Sequence, residues 1–145
     1  MQDFPHHYSV AASAGAEGDV TLASGALDPI SSAPPTEFGG PGNRWSPETL
    51  LIAAVADCFV LSFRAIAGAS KLSWTSLNCD VEGTLERRDG TPKFTAFVIN
   101  ATLAVARDTN EDKATRLLEK AEAICLITNS LSGTTHLNTV VRVES

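Results

Sequence analysis

Between Thr49 and Ile66 only Asp57 and Arg64 carry charge. Ser46-Pro47-Glu48 stands immediately before this stretch and reads as a helix start. Ser46 can cap free backbone N–H groups, Pro47 suits the first helical position, and Glu48 complements the helix dipole. The pattern predicts a central helix over 46–68, stopped at Gly68. Leu51, Val55, Cys58 and Ser62 form one stripe; Ile52, Ala56, Phe59, Phe63 and Ile66 form another. A helix that is apolar nearly all round must be covered on most sides. A chain of 145 residues makes one domain with a real core, so a second copy is expected to supply part of the cover. The most apolar run, Leu50 to Phe63, is interrupted by Asp57 and is too short to span a bilayer, so no membrane segment is expected.

The rest of the chain alternates between strand-like and helix-like patterns. Tyr8–Ser13 and Asp19–Ser24 alternate and predict an N-terminal hairpin within 1–24. Residues 25–45 are rich in Pro, Gly and Ser and read as a long loop, of the kind that usually covers a site. Two strands around Arg88-Asp89-Gly90 predict a hairpin over 76–106. Asp108-Thr109-Asn110-Glu111-Asp112 opens a second helix over 109–126. There Ala114, Leu117, Leu118, Ala121, Ile124 and Cys125 follow the i, i+3, i+4 rule. A last strand is expected over 134–144. The order predicts a single α+β domain, 1–145, with sheet and helices packed as layers.

Charge narrows the partners. A net charge of -6 with pI near 4.9 leaves no basic patch to neutralise phosphates, so neither nucleic acid nor an anionic membrane surface is an expected partner. The N-terminus lacks the basic region, apolar core and cleavage site of a secretory signal. A cytoplasmic setting is expected, where three cysteines are reduced or redox-active rather than structural disulfides. No CxxC occurs, and His6, His7 and His136 have no ligand spacing. No metal and no cofactor are expected.

Cys58 and Cys125 remain as the residues with chemistry to explain. Each sits on an inward stripe of a different predicted helix, the layout of a redox pair assembled by folding. A thiolate attacks a peroxide oxygen to give a sulfenic acid, and a second thiol condenses with it to a disulfide. The attacking sulfur needs a depressed pKa. Cys58 lies about three turns from its helix start, too far to use the dipole, and Asp57 beside it opposes ionisation. A cation is therefore expected nearby. Glu48 is ten residues before Cys58, roughly 15 Å of helical rise. If Glu48 serves this site, it does so from the partner of an antiparallel dimer. Cys79 alternates within a strand and reads as structural.

These residues carry a resemblance. Ser46-Pro47-Glu48-Thr49-Leu50-Leu51, then Ala56-Asp57-Cys58, then Cys125-Leu126-Ile127-Thr128-Asn129-Ser130 resemble the OsmC/Ohr family, the osmotically inducible and organic hydroperoxide resistance proteins. The opening His7-Tyr8-Ser9-Val10 and the run Asn43-Arg44-Trp45-Ser46-Pro47-Glu48 are similar to an OsmC-like subgroup. The resemblance covers nearly the whole chain. It implies antiparallel sheets wrapped around long central helices in an intertwined homodimer. It implies a peroxidase acting on organic hydroperoxides and reset by a dithiol such as a lipoyl group. Cys58 then corresponds to the attacking cysteine, Cys125 to the resolving one, and Glu48 to a carboxylate that orients an arginine. No arginine precedes Arg44, so Arg44 is the residue left for that role. Phe38, Trp45 and Phe59 are the expected apolar surface for the substrate. The alternative is a dimer of the same fold that binds a small ligand or senses redox state without turnover, which the absence of the family's usual arginine favours.

Overall fold

The structure, a computed structural model, describes residues 1–144. Its elements are α+β, and they divide into two compact units, Met1–Leu51 and Ile52–Ser145.

The first unit holds a small antiparallel sheet of three strands, β1 (Ala11–Ser13), β2 (Val20–Ala23) and β3 (Ile30–Ser32), in that order. The expected hairpin is β1 with β2, where Ala12 faces Leu22. The third strand lies where the sequence reads as loop. Ile30 pairs with Leu22, but three residues ending at the Ala33-Pro34-Pro35 break are too few to show an alternating pattern. A 3-10 turn, Thr36–Phe38, follows, and Ser32 bridges to Trp45. The stretch 25–45 is thus folded rather than open.

Helix α1 (Pro47–Ala69) begins as its sequence dictates. The Thr49 N–H donates to Ser46 Oγ at 3.1 Å, and the Ser46 N–H donates back to Thr49 Oγ1 at 2.9 Å. This reciprocal cap uses the third helical position, so Glu48 takes no part in it. The helix runs on past Phe63 to Ala69, which makes it long and apolar enough to cross a membrane by length and composition. That corrects the expectation drawn from the shorter run. Its buried face nevertheless packs on a sheet, as a core helix does.

In the second unit, β4 (Ser76–Arg88) and β5 (Thr91–Ala106) form a long antiparallel hairpin. Its turn residues, Asp89 and Gly90, both have positive φ (52° and 79°), as a two-residue hairpin turn matched to strand twist requires. Helix α2 (Glu111–Ala123), capped by the Asn110 side chain on the Lys113 N–H, carries the chain back. The last strand, β6 (Thr134–Glu144), joins β5 in parallel, giving the order β4-β5-β6. One face of this sheet contributes Phe97, Ile99, Ala101, Leu103 and Val105 to a single core with Val55, Phe59 and Phe63 of α1 and Leu118 and Ala121 of α2.

The second helix is two pieces. The 109–126 pattern is continuous, yet α2 ends at Ala123 and a four-residue helix, α3 (Leu126–Asn129), starts afresh with Cys125 in extended geometry at its N-cap. The break keeps only part of the predicted face inward: Cys125 is fully buried, whereas Ile124, expected on the same face, is half exposed.

Candidate active site

Cys58 sits on the less buried flank of α1, four residues before Ser62, whose hydroxyl lies 3.9 Å from its sulfur. The break at Cys125 turns the first amides of α3 towards it. Burial alone would raise the Cys58 pKa. It is outweighed by the Ile127 N–H, the Cys125 thiol, the Ser62 hydroxyl and the Leu126 N–H, which together hold the thiol below its ordinary value. No charged group is among these donors. The donors near the sulfur are neutral dipoles, and hydrogen bonds to the charged form of a thiol favour it.

Cys125 shows the opposite balance. Burial pushes its thiol up, Thr128 opposes this through its N–H and hydroxyl, and the neighbouring Cys58 adds to the rise. The two sulfurs are therefore biased in opposite directions, Cys58 towards the thiolate and Cys125 towards the thiol. The free amides at the start of α3 serve both sulfurs, with Leu126 and Ile127 facing Cys58 and Thr128 facing Cys125. Cys79, inward on β4, is pushed up to about 11 by burial, by Asp80 and by Cys125. All three cysteines are unbridged.

The other expected site residues lie as follows. Arg44 donates from Nε to Asp19 Oδ2 at 2.8 Å and from Nη1 to the Asn43 carbonyl. Glu48 lies in the first turn of α1, and α1 is continuous, so Glu48 stands the full ten residues from its own Cys58. Phe38 and Trp45 are both more than half exposed and line separate clefts, Trp45 beside Arg44 and Thr49, Phe38 beside Pro34 and Glu48. Phe59 has no exposed surface and belongs to the core. Sequence reasoning missed Ser62 and the amides of Leu126 and Ile127. Ser62 was visible as a neighbour of Cys58 on its stripe; backbone amides carry no residue signature. Among the described residues, no group of three or more His, Cys, Asp or Glu is placed to hold a metal ion.

Residues 40–140 match the model of the OsmC-like protein family. The chain belongs to the OsmC/Ohr family. An uncharacterised Bacillus subtilis protein, YmaD, is 28% identical over 144 residues, 96% of this chain and 95% of that one. An OsmC-like protein of unknown function from Vibrio cholerae superposes with a TM-score of 0.85 at 16% identity, covering 94% of this chain and all (100%) of the other. A structure from Legionella pneumophila, described as an organic hydroperoxide resistance protein OsmC and predicted redox protein, has a TM-score of 0.74 at 26% identity, covering 97% and 99%. The OsmC-like fold is thus common to the whole chain, and some proteins of this fold are named for hydroperoxide resistance.

Proposed function

We propose that this protein is a dimeric thiol peroxidase that reduces organic hydroperoxides in the cytoplasm. The Cys58 thiolate attacks the terminal peroxide oxygen. An S–O bond forms, the O–O bond breaks, and the alkoxide leaves and takes a proton to become the alcohol. The Cys125 sulfur then displaces water from the Cys58 sulfenic acid, giving a Cys58–Cys125 disulfide. An external dithiol, of the lipoyl type by family resemblance, reduces it and is itself oxidised.

The observation that supports this most directly is the split between the two sulfurs: Cys58 is held down by four neutral donors, one of them the Cys125 thiol, while Cys125 is held up. A more acidic thiol beside a less acidic one fits an attacking sulfur and a reserve thiol that condenses with its sulfenic acid. The name of the Legionella protein supports the substrate class. Glu48 is assigned to the facing copy's reaction, because helical rise keeps it from its own Cys58. Arg44 is assigned with it, its guanidinium passing from Asp19 to the facing thiolate. Phe38 and Trp45 are assigned to the substrate's apolar part.

The test is one equivalent of cumene hydroperoxide, followed by thiol counting and peptide mapping under non-reducing conditions. Rapid loss of two thiols with a Cys58–Cys125 linkage is expected. Retention of all three thiols rejects the enzyme. An unchanged oxidation rate in Arg44→Ala removes that residue from the mechanism. One observation favours a second reading, a ligand-binding or redox-sensing dimer without turnover: the only arginine before the central helix is already paired with Asp19.

A further inference from the structure

Two thiols carry the proposed reaction, and a third lies beside them. Cys79 alternates inward on β4 and packs against the core. Its level along α1 is set by two contacts. Ile52, early in α1, closes over Gly83 of β4, where a side chain would collide with it. Phe63, later in α1, meets Trp74 edge to face, with ring centroids 5.5 Å apart, and Trp74 just precedes β4. Helix α1 therefore runs back along β4, and Cys58 and Cys79 each lie midway between those contacts. Cys125 is the neighbour of both: its thiol hydrogen-bonds Cys58, and its charge adds to the cost of ionising Cys79. Cys58 itself is not among the groups that perturb Cys79. Across the ladder Cys79 is paired with Ala101, and Ala101 with Thr139, so β5 and β6 set no titratable group against it. Cys125 is fully buried and sits in extended geometry between α2 and α3, with a half-buried thiol on either side.

We propose that Cys79 is a relay thiol: it takes Cys125 from the Cys58–Cys125 disulfide, moves the linkage inward between β4 and α3, and frees Cys58 for a second peroxide. The inference goes beyond the peroxidase reading and rests on it only for the peroxide that makes the first disulfide. Cys79 gives its proton to water, and its sulfur attacks the Cys125 sulfur. A Cys79–Cys125 bond forms, the Cys58–Cys125 bond breaks, and its electron pair leaves on Cys58. The exchange has no net oxidation or reduction and consumes no other reagent. Attack falls on Cys125 because that sulfur neighbours Cys79. The sulfur expelled is the one that Ile127, Ser62 and Leu126 favour as thiolate, and the more acidic thiol is the better leaving group. With its own thiol pushed up to about 11, Cys79 is a slow nucleophile at neutral pH, so the exchange follows the first disulfide and does not compete with it. A second peroxide then takes Cys58 to a sulfenic acid with no thiol left to condense with it.

The experiment gives the reduced full chain one equivalent of cumene hydroperoxide, then a second together with dimedone, which traps sulfenic acid. Peptides are mapped without reductant at each stage. The first equivalent should give the Cys58–Cys125 linkage early and Cys79–Cys125 later. That exchange should quicken about tenfold for each unit of pH while Cys79 is mainly thiol. The second equivalent should place dimedone on Cys58. In Cys79→Ala and Cys79→Ser the linkage should stop at Cys58–Cys125 and the adduct should be lost. A Cys58–Cys125 linkage that persists beside a free Cys79, or dimedone uptake that both variants retain, overturns the proposal. So does a Cys79–Cys125 linkage formed by the hydroperoxide in Cys58→Ser, which would mean direct oxidation without a relay. Diamide, which joins thiol pairs without peroxide, separates the two readings. Migration of the linkage from Cys58 to Cys79 after diamide, with no response to hydroperoxide, upholds the relay and sinks the peroxidase. Hydroperoxide oxidation that halts at Cys58–Cys125 does the reverse, and failure of both oxidants to link Cys125 sinks both.

Discussion

At the scale of single residues, the function turns on how three thiols differ. Cys58 is favoured as thiolate by amides and hydroxyls, Cys125 is disfavoured by burial and by Cys58, and Cys79 is raised to about 11. Iodoacetamide labelling across pH should separate them. Cys58 should react at the lowest pH, Cys125 later, and Cys79 only as pH nears about 11, with mass spectrometry of each peptide as the measurement. Ser62→Ala removes one donor and should move the Cys58 midpoint to higher pH; an unmoved midpoint would mean that the hydroxyl contributes nothing. The neighbourhood of Cys58 and Cys125 was legible because both fell on inward stripes. The source of the acidity was not. Side-chain patterns point to arginines and lysines, whereas the donors here are main-chain N–H groups exposed by a helix break that the periodicity of Ala114, Leu117, Leu118, Ala121 and Cys125 runs straight through.

At the scale of elements, the long helix and the long hairpin were readable because each has both a start and a period: Ser46-Pro47 with an apolar run, and Asp89-Gly90 between alternating strands. The short strand β3 was not, since three residues hold no period. Nor was the parallel pairing of β6, which depends on α2 returning the chain across the sheet. The sheet face that meets α1 carries the stability of the second unit. Leu103 is fully buried within it, so Leu103→Ala should cost about 2–5 kcal/mol, the range for a truncated core leucine, measured by urea unfolding. A loss below about 1 kcal/mol would place the core elsewhere.

At the scale of the whole molecule, α1 is more apolar than one chain can cover. Only 28% of its most apolar window is buried, and Leu61 is half exposed between the helix's two late charges, Asp57 and Arg64. Leaving such a stripe in water forgoes roughly 25 cal/mol for every Å² that a partner would cover. Sedimentation equilibrium should give a mass near twice 15.3 kDa, and Leu61→Glu should shift it towards the single chain while leaving the circular dichroism unchanged. A single-chain mass for the unsubstituted protein would remove the facing-copy roles of Glu48 and Arg44 together.

The first amides of α3 serve sulfur charge, and a disulfide carries none. Once Cys58 and Cys125 are joined, Leu126 and Ile127 lose the negative partner that their N–H groups face. Their deuterium uptake should then quicken on oxidation and slow again when a dithiol is added. The protein would thus report its own redox state through two backbone protons, without any dye or cofactor.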